Sequence, residues 1–312
     1  MKKKRDLLDI RDLNKTEIYQ IFEQAKFFKY QRKKQITISD TLRGMCIGLL
    51  FRKPSSRTRI SFEVAIIELG GNPIFLESGQ LQISRGETIQ DTAKVLNLYL
   101  KGLVIRTYQQ SEVETFAKHV DFPVVNALTD FLHPCQILAD FFTIWEKRKN
   151  LENLVITYIG DANNICNTLI LGADILGVRI NVSCPPQYPV KDDIMKSMKN
   201  PSLLKISHDP CQFISESDVI YTDTWVSMGN EQEKQKRLEI FAPYQVNAEL
   251  VKNAPVNFLF MHCLPAHRGQ EVTDEIIDGK NSVVWQQAEN RLHVQKAILH
   301  FLYADERKLN AC

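Results

Sequence analysis

Residues 45–71 read MCIGLLFRKPSSRTRISFEVAIIELGG. An apolar run, Met45–Phe51, gives way to SSRTR at Ser55–Arg59 and then to an amphipathic run, Ile60–Gly71. A short, continuously apolar run marks a strand buried on both faces, as in parallel sheets. A strand that enters a helix through hydroxyl side chains offers free backbone N–H groups, hydroxyl donors and the positive end of the helix dipole. Two arginines add donors that match phosphate oxygens in pairs. The stretch therefore reads either as a phosphate cradle or as a Ser N-cap with solvated arginines. It lacks the GxxxxGK[ST] pattern of a nucleotide P-loop.

The same rhythm continues along the chain. Strand-like runs fall at Pro73–Glu77, Gly102–Thr107 and Pro123–Asn126, then at Leu154–Gly160, Arg179–Cys184, Leu203–Ser207, Asp218–Thr222, Asn257–His262 and Ser282–Trp285. Helical periodicity marks Lys15–Tyr30, Arg59–Leu69, Thr88–Leu100, Pro134–Lys147 and Asn164–Leu176. This alternation predicts an α/β fold of two doubly wound domains, each with a central parallel sheet, joined by interdomain helices. A length of 312 residues suits two domains. The helical pattern at Pro134–Lys147, with the polar EKRKNLEN behind it, is the expected crossing. A last helix, about Gln287–Tyr303, ends the chain. The predicted domains are residues 1–147, completed by a C-terminal helix at 287–312, and residues 148–286.

Composition narrows the functional classes. At 44% hydrophobic and 24% charged residues, the chain has material for a sizeable core. A net charge of +2 gives no global field that would select nucleic acid or an acidic membrane. The basic runs KKKR at 2–5 and KYQRKK at 29–34 read as solvated surface. No apolar stretch has bilayer length, and the charged N-terminus lacks the apolar core of a secretory signal. The seven cysteines are odd in number, scattered and without a CxxC pair. That argues against a disulfide framework and a zinc site, and for a reducing cytoplasm.

Open α/β sheets bind ligands at the carboxyl ends of their strands. Polar residues collect there in SSRTR, RTYQQ, HPCQ, GDANN, DTWVSMG and HCLPAHRG. Arg106 ends a buried strand, where it needs an anion or a route to water. His133 and Gln136 lie three apart on the first turn of a helix, and either His133 is structural or it donates to a carbonyl oxygen gaining charge. GDANN has one glycine where the dinucleotide fingerprint asks for three. Asn163 or Asn164 either holds a small polar ligand or caps the following helix. Asp223 and Ser227 suit a cationic ligand or a self-satisfied turn. Cys263, directly after a strand, is either inert packing or faces a substrate.

Taken together and in this order, FRKPSSRTR, HPCQ, DTWVSMG, HCLPAHRG and AENRLHVQKA resemble the aspartate/ornithine transcarbamoylase family over nearly the whole chain. SMG and HCLPAHRG are similar to its ornithine branch. Ser56 replaces a threonine of the family motif, and Ser84 stands where a glycine is common. The resemblance implies an enzyme that transfers the carbamoyl group of carbamoyl phosphate to the δ-amine of L-ornithine, giving L-citrulline and phosphate. Arginine biosynthesis is the expected setting, rather than catabolism. It implies no cofactor, no metal, no nucleic-acid or membrane partner, and a cytoplasmic homotrimer. The first domain would bind carbamoyl phosphate and the second ornithine.

The resemblance also implies residue roles. Ser55, Ser56, Arg57 and Thr58 would hold the phosphate, and Arg106 both phosphate and carbonyl oxygen. His133 would bind that oxygen and Gln136 the carbamoyl NH2. Gln82 would reach in from a loop, Arg291 from the last helix. Cys263 and the Leu264 backbone would lie beside the reacting centre and the carbamoyl group. Asn164 and the Met228 backbone would take ornithine's α-carboxylate, Asp223 and Ser227 its α-ammonium. Arg106, His133 and Cys263 would be the catalytic set. A sister enzyme acting on putrescine or an acylated ornithine would leave Asp223 and Ser227 without an ammonium to bind. A non-enzymatic paralogue would be expected to lose Arg57, Arg106, His133 or Arg291, and all four are present.

Overall fold

The apolar runs become two parallel sheets. A computed structural model describes residues 4–36, 39–77, 79, 82–226 and 233–307. It divides into two compact units, residues 1–139 with 290–312 and residues 140–289. The divisions fall inside two helices rather than in linkers.

In the first unit β1 (Cys46–Phe51), β2 (Asn72–Glu77), β3 (Gly102–Arg106) and β4 (Val124–Leu128) lie in the order β2-β1-β3-β4, all parallel. The helices are α1 (Lys15–Lys33), α2 (Ser56–Glu68), α3 (Ile89–Tyr99), α4 (Gln110–His119) and α5 (Pro134–Arg148), the last entering the second unit. The sequence reading has no helix at α4. Its ten residues bury only Val113, Phe116 and Ala117, which fall at helical spacing but span little more than one turn. These three nevertheless join Leu50, Leu103 and Ile105 in one core. Gly102 opens β3 because Tyr303 occupies the space beside it, and an added Cβ would lie 2.0 Å from the tyrosine hydroxyl. That hydroxyl donates to the Lys101 carbonyl at 2.7 Å, which ties the C-terminal helix to this unit.

In the second unit β5 (Val155–Ile159), β6 (Arg179–Ser183), β7 (Leu204–Ser207), β8 (Val219–Thr222) and β9 (Leu259–His262) form a parallel sheet in the order β7-β6-β5-β8-β9. The helices are α6 (Asn164–Leu176), α7 (Asp192–Ser197), α8 (Lys234–Phe241), α9 (Ala248–Val251) and α10 (Asp274–Ile277), followed by α11 (Val284–Arg307). α6 is buried along most of its length and stops at Gly177, whose φ of 75° is the left-handed turn a helix end favours. The strand expected at Ser282–Trp285 does not form. Ser282 makes one isolated bridge to Phe260, and Val284 already begins α11. A short run containing two valines has strand propensity, but burial of Val283 and Val284 is met here by a loop and a first helical turn.

Both sheets reverse their winding once. The reversal lies between β1 and β3 in the first and between β5 and β8 in the second. Such switch points open crevices at the carboxyl ends of the strands.

Candidate active site

The first unit gathers donors around its switch point. Parallel register sets Phe51 beside Arg106, so the segment leaving β1 starts next to the end of β3. The Arg52 N–H donates to the Arg106 carbonyl at 2.8 Å. A register shift between Ile105 and Arg106 against β4 turns the strand at this residue. Ser55 is the N-cap of α2, its hydroxyl accepting the Thr58 N–H at 3.3 Å. The first turn, Ser56 to Thr58, thus presents the positive end of the helix. The two arginines of SSRTR part company. Arg59 bonds Glu63 at 2.8 Å and lies 3.7 Å over the Phe75 ring. Arg57 is exposed.

Thr58, Arg106, His133, Gln136 and Arg291 are all buried. Arg291, on α11, donates to Thr58 Oγ1 at 2.8 Å and also to Gln136 Oε1. It thereby joins the first turns of α2 and α5. Burial, with the Arg291 and Arg106 charges, pushes the His133 imidazole well below its usual range. His133 is therefore neutral at ordinary pH, a hydrogen-bond donor and a very poor proton acceptor. Cys135 sits in the same turn, yet burial drives its thiol up to about 12, and it donates to the Asn126 carbonyl at 3.4 Å. It is packing. Gln82 is exposed at the start of a short helical turn, Gln82–Arg85, and the Ser84 side chain lies outside the described residues.

The second unit gathers acceptors. Thr222 pairs with His262, so the next residues, Asp223 and Cys263, emerge side by side. Cys263 Sγ donates to Asp223 Oδ1 at 3.0 Å, and the Thr224 N–H donates to the same oxygen at 2.7 Å. Asp223 Oδ2 accepts from Asn163 Nδ2 at 2.8 Å. Asn163 also caps α6, accepting from the Ile165 and Cys166 N–H groups. Capping and positioning are both its work, and the sequence alone could not separate them. Asn164, half-buried, is the first residue of α6. Ser227 and Met228 lie outside the described residues.

Two further contacts, unforeseen in the sequence, shape this crevice. Buried Arg237 donates to Asp161 Oδ2 and to the Trp225 carbonyl, both at 2.5 Å, and packs 4.3 Å over the Tyr188 ring. Burial raises the Asp161 carboxyl to about 6 against the pull of Arg237. The donor atoms of Asp223, His262 and Cys263 lie within 4.8 Å of one another, a spacing a cation could use. The imidazole, however, has both nitrogens engaged, Nδ1 by the Leu264 N–H at 2.8 Å and Nε2 by Glu271 at 3.2 Å. It has no lone pair to give a metal, so the trio does not fit one.

Two family models match the chain in tandem. That for the aspartate/ornithine carbamoyltransferase carbamoyl-P binding domain covers residues 5–146, and that for the Asp/Orn binding domain covers 152–302. An ornithine carbamoyltransferase of Pyrococcus horikoshii is 46% identical over 307 residues, 96% of this chain and 96% of the relative. A Pyrococcus furiosus relative named as an anabolic ornithine carbamoyltransferase is 46% identical over 302 residues, 95% of each chain. The solved ornithine carbamoyltransferase of Pyrococcus furiosus matches with a TM-score of 0.92 at 46% identity, covering 96% of this chain and 97% of its own.

Proposed function

This chain belongs to the aspartate/ornithine carbamoyltransferase family, and from that premise we propose its reaction in full: carbamoyl phosphate and the δ-amine of L-ornithine give L-citrulline and phosphate. Residues 1–147 with the C-terminal helix hold carbamoyl phosphate, and residues 148–286 hold ornithine. The observation that carries the reading is a buried imidazole, His133, kept from protonation by its burial and by two guanidiniums. Such a set donates hydrogen bonds without taking protons. It suits a dianionic phosphate and a carbonyl oxygen that becomes an oxyanion.

The reaction follows from those properties. Ser55, Ser56, Arg57 and Thr58 bind the phosphate, with Arg106 and Arg291 balancing its charge and Gln82 contributing from its loop. The neutral δ-amine attacks the carbonyl carbon, Arg106 and His133 stabilise the oxyanion, and the C–O bond to phosphate breaks. Gln136 holds the carbamoyl NH2, and the Leu264 backbone lies beside the reacting centre. The amine's proton leaves with the phosphate, because His133 cannot accept it. Asp223 and Ser227 bind the α-ammonium, Asn164 and the Met228 backbone the α-carboxylate. Cys263, already bonded to Asp223, orients the amine. Carbamoyl phosphate is activated before it binds, so positioning and fixed charge supply the catalysis without a cofactor.

The name of the anabolic relative supports a role in arginine biosynthesis. Among the described residues no helix is long and apolar enough to cross a membrane. The six described cysteines are free, as suits a cytoplasmic enzyme. Exposed Phe27, Tyr30, Ile67, Leu98 and Tyr99 on α1, α2 and α3 support a homotrimer, testable by light scattering. The deciding assay is citrulline formation by the purified chain with carbamoyl phosphate and L-ornithine, beside putrescine, N-acetylornithine and aspartate. Turnover with ornithine alone is expected. A stronger response to another amine would remove the roles given to Asp223 and Ser227.

A further inference from the structure

HCLPAHRG supplies Cys263 and Leu264 to the proposed site, yet its first residue, His262, and nearby Glu271 have no role there. Both side chains are 0% exposed. A carboxylate so deeply buried is unfavourable unless its partners satisfy it, so those partners show what it does. Glu271 Oε1 lies 3.2 Å from His262 Nε2 and accepts the His267 N–H at 2.5 Å. His262 Nδ1 lies 2.8 Å from the Leu264 backbone nitrogen.

A backbone N–H can only donate, so Nδ1 carries a lone pair. The ring proton is then on Nε2 and points at the carboxylate. A ring protonated at both nitrogens would set two donors against each other at Leu264. Leu264 itself stands at φ 58°, a left-handed conformation that residues with a Cβ seldom adopt. The ring therefore grips a peptide that would not hold its shape alone. Glu271 is pinned in turn, its backbone carbonyl accepting the Val246 N–H at 2.9 Å. The His262 N–H donates to Gln287 Oε1 at 3.0 Å.

We propose that Glu271 and His262 are positioning residues for the acceptor side of the reaction: the carboxylate fixes one tautomer of His262, that ring holds the Leu264 peptide, and the peptide sets Cys263 against Asp223. The inference rests on the carbamoyl-transfer reading above. What matters is a chain of acceptors rather than the negative charge. Asn at 262 keeps an acceptor, its Oδ1, where Nδ1 stands, and Gln at 271 keeps an oxygen for both of its donors.

The test is steady-state kinetics on full-length H262N, H262L, E271Q and E271L, each with its Tm and its equilibrium affinity for carbamoyl phosphate. H262L and E271L should lose kcat about 100-fold, as small misplacements do, and raise the KM for ornithine. Their affinity for carbamoyl phosphate should be unchanged. H262N and E271Q should stay within about tenfold of wild type, by the loss of one hydrogen bond. Equal losses in H262N and H262L, or losses shared by carbamoyl phosphate affinity and following Tm, would reduce the pair to packing.

Should the leucine variants not fold, the wild type still decides. Histidine 15N NMR, with His262 assigned by its absence in H262N, should show the single proton of the neutral ring on Nε2. The other tautomer would overturn the proposal. A wild type that makes no citrulline would instead defeat the carbamoyl-transfer reading, and the tautomer measurement would still judge the pair.

Discussion

The two switch points share a geometry and oppose each other in charge. Around β1 and β3, buried Arg106 and Arg291 keep company with a neutral His133, a set rich in donors. Around β5 and β8, the central group is a buried carboxylate, Asp223, held by Asn163, Thr224 and Cys263. On the proposed reading, one architecture serves an anionic donor in one unit and a cationic acceptor in the other. Strand ends fix where a ligand lies, and a handful of side chains there decide its charge.

The comparison breaks most sharply at Arg106. Arg106→Ala should lower kcat/KM about 1,000-fold by removing a stabiliser of the oxyanion, and calorimetry should show weakened carbamoyl phosphate binding. Next is Asp223→Ala. It should raise the KM for ornithine about 100-fold, the scale of truncating one side of a hydrogen-bonded charge pair, with carbamoyl phosphate affinity unchanged. Exchanged phenotypes in these two variants would reverse the assignment of the units. Cys263→Ala should still turn over, but slowly, with kcat down about 100-fold, as in the variants that misplace this thiol. Mass spectrometric capture of a carbamoyl thioester on Cys263 would make it a nucleophile instead.

The smallest effect concerns pH. His133 in the unfolded chain takes a proton near the ordinary value of 6.5, whereas folded it resists one. Below that pH the unfolded state binds more protons, so stability falls on acidification, at most about 1.4 kcal/mol per pH unit. His133→Gln removes this linkage. Its Tm should fall less steeply than that of the wild type between about pH 6.5 and about pH 5. An unchanged slope would mean that His133 takes up a proton in the folded state.

Many of the candidate residues stood out in the sequence because polar groups sit at strand ends. Arg106, His133 and Cys263 each follow an apolar run, and polar residues in that position stand out. α4 was missed, since its helical spacing rests on Val113, Phe116 and Ala117 alone, little more than one turn. The false strand at Ser282–Trp285 arose because a short apolar run carries strand propensity whether or not a neighbour pairs with it. Asn163 read either as a cap or as a holder of a small polar ligand, and its bond to Asp223 was not foreseen because it spans sixty residues of chain. Ser227 and Met228 lie outside the described residues, and their roles remain part of the proposal.

By itself, the sequence determined the α/β class, the two-sheet organisation and the strand ends where ligands bind, because burial period and turn chemistry are written in neighbouring residues. Tertiary structure decided which strand ends meet. Strand order brought the end of β1 to Arg106, register brought Cys263 to Asp223, and α11 carried Arg291 to Thr58 and Gln136. Those pairings are set by how sheets and helices stack, and no local pattern encodes them.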